Sequence, residues 1–213
     1  MAHGLIAWLI ALLLVKNIND RRLLVIVGVA ADLDGIFIFF DQNSYFALHH
    51  TFGHSYVFGI LIVLIAALLA KEKLMVGLGA FLAFSAHLFC DVIGSNWSIT
   101  PLFPLSDMAI GSTGYLPSEV IYSLINPLAL LILVLVVIAV GYRKEISPFE
   151  FISAKLDKMA LGAFIYPFKY KCEYCGKWAF GECEQCKKKI CAQHLPSFYN
   201  SKCSICSDSQ LRN

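Results

Sequence analysis

The sequence predicts an all-α integral membrane protein, with about five transmembrane helices followed by a small zinc-binding module on the cytoplasmic side. Three observations carry this. Of the 213 residues, 58% are hydrophobic and the mean hydropathy is +0.69, well above the ordinary range for a soluble domain. Lys and Arg are absent from alternate loops between the apolar runs. Seven of the eight cysteines fall after residue 171, so they belong to a separate soluble unit. The net charge of +2 points to no partner class. Met1 to Val15 lacks the basic n-region and small-residue cleavage motif of a signal peptide, so it reads as a membrane segment.

Five apolar runs follow in order, at about 2–15, 23–40, 56–70, 74–93 and 120–142. The second, fourth and fifth approach the ~20 residues a helix needs to cross a bilayer. The first and third are short and suit little tilt or a locally thinned bilayer. Lys16, Arg21 and Arg22 separate runs one and two, Lys71 and Lys73 separate three and four, and Arg143 and Lys144 follow run five. The loops at 41–55 and 94–118 contain neither Lys nor Arg. Five alternating helices put every basic loop on one side, with the N-terminus outside and the C-terminus in the cytoplasm. Tyr45, Tyr56, Trp97 and Tyr115 then suit an outer interfacial belt.

Residues 31–55, ADLDGIFIFFDQNSYFALHHTFGHS, place Asp32, Asp34, His49, His50 and His54 where an apolar protein should have few polar groups. A charge in hydrocarbon is costly unless it is paired, hydrated or bound to metal. At ~1.5 Å rise per residue from the basic anchors, Asp32 lies ~15 Å deep and Asp34 ~18 Å. On the same count His3 lies at ~20 Å, His87 at ~21 Å and Asp91 at ~27 Å. The loop carrying His49 and His54 drops to that level. His87 and Asp91 share a helix face at i, i+4. Asp32 and Asp34 are two apart, and Gly35 after them predicts that the helix opens or ends there.

A lone intramembrane histidine is more often an interhelical hydrogen-bonding group, and Asp32 with Asp34 is also compatible with a structural turn or proton relay. Seven groups at one depth favour a metal site of His3, Asp32, Asp34, His49, His54, His87 and Asp91. It would hold one or two divalent ions, Zn2+ or Mn2+ by ligand type. Asp34 and Asp91 are the candidate catalytic bases. His50 reads as an outer-surface residue or a second-layer donor.

These residues resemble the pattern of membrane-bound metal-dependent hydrolases, a family that includes a LexA-binding inner-membrane protein. The pattern has a histidine in a short N-terminal apolar stretch, here MAHGLIA. It has Pro-Asp-x-Asp, here Ala31 to Asp34, and His-Arg-Gly-x-Thr-His-Ser, here His49 to Ser55. It has His-x-x-x-Asp and a stretch leading to Pro, here His87, Asp91 and Pro104. Ala31, His50 and Gly53 depart from it, and an arginine at position 50 would have been a natural phosphate clamp. The resemblance covers residues 1–142. It implies a phosphoesterase-like hydrolase acting on a lipid-like substrate.

Residues 143–170 read as a linker with either an interfacial helix or a packed one, carrying Phe151, Ile152, Leu156, Met159 and Ile165 as an apolar stripe. Residues 171–213 hold C-x2-C-x7-C-x2-C-x4-C-x2-H-x8-C-x2-C, eight ligands for two tetrahedral zinc ions. So short a segment needs metal as its staple, and a reducing cytoplasm disfavours disulfides. The order resembles the AN-one-type cross-brace zinc finger. That resemblance implies one zinc at Cys172, Cys175, Cys191 and His194, and a second at Cys183, Cys186, Cys203 and Cys206. The final pair departs from the finger's His and Cys. Lys187 to Lys189 read as a solvated turn rather than a nucleic-acid contact, and Cys90 as a small buried residue.

The expected protein is therefore a multi-pass membrane hydrolase with membrane lipids as partners and a cytoplasmic docking finger for a protein partner. Two other readings use the same residues: a divalent-metal transporter, and a membrane-anchored zinc-finger interaction protein.

Overall fold

Short polar side chains begin the helices. Asn17 accepts the N–H groups of Asn19 and Asp20 at 2.9 and 3.3 Å and starts α2, Ile18–Val29. Asp41 accepts from Ser44 to start α3, Gln42–Leu48, and Ser55 accepts from Phe58 to start α4, Tyr56–Leu69. Each satisfies N–H groups that the first turn leaves without a partner. The computed structural model describes residues 2–111, 116–195 and 202–206, so Tyr115 lies outside the described residues. The chain divides into two units, Met1–Val134 and Leu135–Asn213.

In the first unit α5, Lys73–Gly94, is the central post, packed against α1, Ala2–Leu14, and against α2 and α4. Trp8, Leu24, Val76, Ala80, Phe84 and Leu88 fill the centre. Small residues let the helices close up: a side chain at Gly28 would stand 2.4 Å from the Ala7 methyl carbon, the close approach expected between membrane helices. The α1–α2 and α4–α5 turns clasp each other. Asp20 accepts the N–H groups of Lys71 and Glu72, and Glu72 accepts those of Lys16 and Asn17.

Outer surfaces are apolar, as the composition requires. Leu61, Leu64, Leu68, Leu74, Leu78 and Phe89 are exposed on α4 and α5. α6, Ser118–Val120, runs through a π-helical turn at Ile121–Ile125 into α7, Asn126–Lys144, and Gly141 is the only buried residue within α7. A helix that is apolar all round and uncovered is built for a hydrocarbon solvent.

The span count differs from the sequence expectation. Among the described residues two helices are long and apolar enough to cross a membrane, Lys73–Gly94 and Ser118–Lys144, while Ala2–Leu14 and Tyr56–Leu69 are shorter apolar helices. The run at 23–40 is not one α-helix. It stops being α-helical at Val29, six residues before Gly35, and continues as a 3-10 helix over Ala30–Phe39. A cause is visible at Gly28, whose carbonyl, an acceptor for the next α-helical turn, is engaged by His87. A 3-10 stretch of this length is uncommon and marks strain or function.

The second unit begins within α7 and continues through a 3-10 turn, Pro148–Phe151, α8, Ala154–Phe164, and α9, Tyr166–Lys169. β1, Gly181–Glu182, pairs antiparallel with β2, Lys189–Ile190. Around this hairpin, Cys172, Cys183, Ile190, Cys191 and Cys203 are buried together.

Candidate metal centres

His87 shows how the bundle aims a side chain. It projects from the middle of α5, and its Nδ1 donates to the Gly28 carbonyl at 2.8 Å. The proton is thus fixed on Nδ1 and the lone pair on Nε2. That Nε2 stands 3.2 Å from Asp91 Oδ2, one turn along the same helix, and 3.5 Å from Asp32 Oδ1.

His54 is set in the same way from a different element. Its Nδ1 donates to Asp34 Oδ2 at 2.9 Å, leaving Nε2 3.1 Å from Asp91 Oδ2. Asp34 comes from the 3-10 segment, is 3% exposed, and also takes the Gly53 N–H at 3.1 Å. Its other oxygen lies 2.6 Å from His49 Nδ1. Gly53 is required by close approach, since a side chain there would begin 2.2 Å from the Ala31 carbonyl and 2.9 Å from Asp34 Oδ2. His3 on α1 completes the ring, with Nε2 3.4 Å from Asp91 Oδ1 and its imidazole stacked on that of His87.

All seven residues expected from the sequence therefore meet, in overlapping groups of His3, His87 and Asp91, of Asp32, His54 and His87, and of Asp34, His49 and His54. His54 Nε2, His87 Nε2 and Asp91 Oδ2 are buried and make no hydrogen bond despite their short separations. Ligands about 2.1 Å from one ion stand about 3.0 Å apart at an octahedral right angle and about 3.4 Å apart at the tetrahedral angle. The observed 3.1, 3.2 and 3.5 Å spacings fall close to that interval. The two imidazoles pair with the same carboxylate, and the donor types and spacings also fit a divalent ion.

Several supports were not legible in the sequence. Trp97 and Tyr45, expected in an interfacial belt, pack on the site: Tyr45 stacks on His49 at 4.7 Å, and Trp97 lies over His49 and His50. His50 is no outer-surface residue. It is buried, adopts φ of 68°, and its carbonyl accepts the Thr100 N–H at 3.1 Å. The loop after α5 is thereby tied over the histidine loop, helped by Tyr56 N–H donating to the Pro101 carbonyl at 2.7 Å. Asp32 faces outward, its side chain 53% exposed.

The second unit gathers its cysteines into two groups, Cys172, Cys175, Cys191 and His194, and Cys183, Cys186, Cys203 and Cys206. Cys191 Sγ and Cys172 Sγ lie 3.3 and 3.5 Å from His194 Nδ1, and Cys175 Sγ lies 3.6 Å from Cys191 Sγ. Cys186 and Cys203 sulfurs are 3.8 Å apart. Thiolates about 2.3 Å from one zinc stand about 3.8 Å apart, whereas disulfide sulfurs approach to about 2.05 Å. All eight cysteines of the chain are free. Burial would raise the Cys172 thiol, yet the backbone N–H groups of Tyr174, Cys191 and Cys175 bring it down to about 6. Cys183 is likewise brought to about 6 against its burial, by the N–H groups of Cys186 and Cys203. Thiols so disposed are readily available as thiolate ligands.

Comparison with known proteins places the first unit. The family model described as YdjM inner membrane protein matches residues 1–152. No curated protein and no solved structure matches the chain.

Proposed function

Because the chain belongs to the YdjM inner membrane protein family, we propose that it is a multi-pass membrane hydrolase. On this reading one or two divalent ions, Zn2+ or Mn2+, serve cleavage of phosphoester bonds in lipid-like substrates. The observation that carries it is the meeting of His54 Nε2, His87 Nε2 and Asp91 Oδ2 in the bundle with no hydrogen bond between them. His54, His87, Asp91, Asp32 and His3 would hold the ion. When bound, it supplies a water acidified towards neutrality and a positive charge against a developing phosphoryl or carbonyl oxyanion.

The chain's own residues divide the remaining work. Asp34 has both oxygens engaged by His49, His54 and Gly53, which favours a positioning role over that of general base. Asp91 lies between the two histidines, as a ligand should. Asp32 is the carboxylate open to substrate: Oδ1, beside His87, would reach the ion, and the second oxygen would accept the proton. The Gly28 carbonyl and Asp34 hold the imidazole tautomers.

Five crossings remain our reading: α1, α2 with the 3-10 segment, α4, α5, and the continuous Ser118–Lys144 helix. The loops without Lys or Arg lie outside, as does the N-terminus. Residues 1–142 form the hydrolase-like domain, 143–170 the linker, and 171–213 a cytoplasmic two-zinc docking finger. A transporter would need ligands along the whole path. Asp20 and Glu72, at the opposite end of the bundle, are both spent on backbone N–H groups, which supports the enzyme.

Metal analysis of the detergent-purified full chain tests the proposal. Wild type should carry divalent metal beyond the zinc of the tail. His54→Ala and His87→Ala should each lose that increment, together with hydrolysis of phosphoester lipids, while keeping the tail zinc. An unchanged metal content in both variants would falsify the membrane site.

A further inference from the structure

Helix α8 has two apolar faces, and its own unit covers one of them. Leu161, Gly162 and Ile165 are buried, and a side chain at Gly162 would stand 2.1 Å from the Phe180 carbonyl, so this face is pressed against the finger. Leu156, Met159 and Ala163, at i, i+3 and i+7, lie on another face and are exposed. Phe164 beside them is 69% exposed, and Ile152 and Phe168 beyond the helix ends are 54% and 77% exposed. A soluble unit rarely leaves so many large apolar groups together in water.

The position of this face identifies what covers it. Ile165, just after α8, packs 3.6 Å from the point where a Gly141 side chain would begin, in the last turn of α7. Lys169 donates to the Tyr142 carbonyl at 2.8 Å, and the Ser147 N–H donates to Asp157 at 2.6 Å. α8 is therefore pinned beside the last turn of α7, an apolar, largely uncovered helix that ends in Arg143 and Lys144, as a helix leaving hydrocarbon for headgroups would. Residues 143–171 contain six basic residues and three acidic ones, and of the basic ones Lys158 pairs with Glu184 and Lys169 with Glu145. Of the acids, Glu145 is held by Lys169, Tyr170 and Lys189, and Asp157 by the Ser147 N–H.

We infer that α8 lies in the membrane interface, with Leu156, Met159, Ala163 and Phe164 among the acyl chains and the basic residues around it against anionic phospholipid headgroups. Apolar burial supplies the anchoring and the basic excess supplies the headgroup preference. The finger is thereby held against the membrane surface instead of swinging on a tether. This goes beyond the hydrolase reading and does not depend on it.

The test places a photo-crosslinking benzophenone amino acid at Phe164, and separately at Leu156, in the full chain. Each is reconstituted in vesicles of phosphatidylcholine with or without phosphatidylglycerol. Both positions should give lipid adducts, several-fold more with phosphatidylglycerol, and the same label at Gln193 should give none. Crosslinking to a second copy of the chain in place of lipid overturns the inference, as does absence of lipid adducts at both positions. Equal yields in the two membranes overturn the preference for anionic headgroups. Both labelled positions are exposed, so folding is preserved, and retained tail zinc verifies it.

Discussion

Asp34 Oδ2 accepts a hydrogen bond from His54 Nδ1–H at 2.9 Å, and this contact leaves the other imidazole nitrogen facing Asp91. A carboxylate behind a histidine raises its basicity and fixes its ring, and such outer partners are often worth 10–100-fold in metal affinity. The same carboxylate holds His49, so one buried group disciplines two imidazoles from one loop.

Asp34→Asn should therefore weaken membrane-site metal binding by roughly 10–100-fold without abolishing it, whereas Asp91→Ala should abolish it. Competition against a fluorescent chelator, on detergent-purified full chain, separates the two. Equal losses would mean that Asp34 is itself a ligand.

Gly53→Ala forces a carbon against the Ala31 carbonyl and the Asp34 carboxylate. Overpacking of this kind costs about 1–3 kcal/mol. The thermal midpoint in detergent should fall and metal affinity should drop with it. Asn43→Ala, at an exposed position in the first turn of α3, should change neither.

Much of the site was legible because hydrocarbon punishes polar residues: Asp32, Asp34, His87 and Asp91 stand out against apolar neighbours for a physical reason. What stayed hidden was set by backbone and loop geometry. An α-helix and a 3-10 helix accept the same apolar composition, so nothing in residues 23–40 announced the change at Ala30. Spacing could bring Asp34 near the histidines, but could not say that both its oxygens would be spent on His49, His54 and Gly53. Trp97 suits an interfacial belt by residue type, and only tertiary contact reveals it as a wall over His49. The cysteine spacing was more informative, since tetrahedral ligation tolerates few arrangements of so many thiols in so short a segment.

The tail's two cysteine clusters predict two zinc ions per chain. Zinc supplies on the order of 10 kcal/mol to folding in modules of this kind. Chelation of the full chain should open residues 171–206 to protease while α5 stays protected. Cys183→Ser should halve the tail zinc and expose the same segment. A tail that stays resistant in excess chelator would mean that its packing, not metal, holds it.

Glu145 predicts an acid-side dependence of the second unit. It follows α7 in a left-handed conformation, φ 54°, which costs a non-glycine residue roughly 1–2 kcal/mol. Its carboxylate compensates by accepting from Lys169 Nζ at 2.7 Å, Lys189 Nζ at 3.1 Å and the Tyr170 hydroxyl. Partial burial opposes ionisation, but these donors outweigh it and hold the carboxyl down to about 2. Because the folded value lies below the unfolded value of about 4.3, the ionised group stabilises the fold above that pH, and the gain is lost as pH falls towards 2. Glu145→Gln keeps the shape and removes the charge. Hydrogen exchange in the second unit of the full chain should therefore be faster in the variant at pH 6. The difference in opening free energy between wild type and variant should narrow as pH falls below about 4.3. Comparing the two proteins cancels acid-driven loss of tail metal that both share. A difference that holds constant across that window would show that Glu145 acts through its backbone conformation and not its charge.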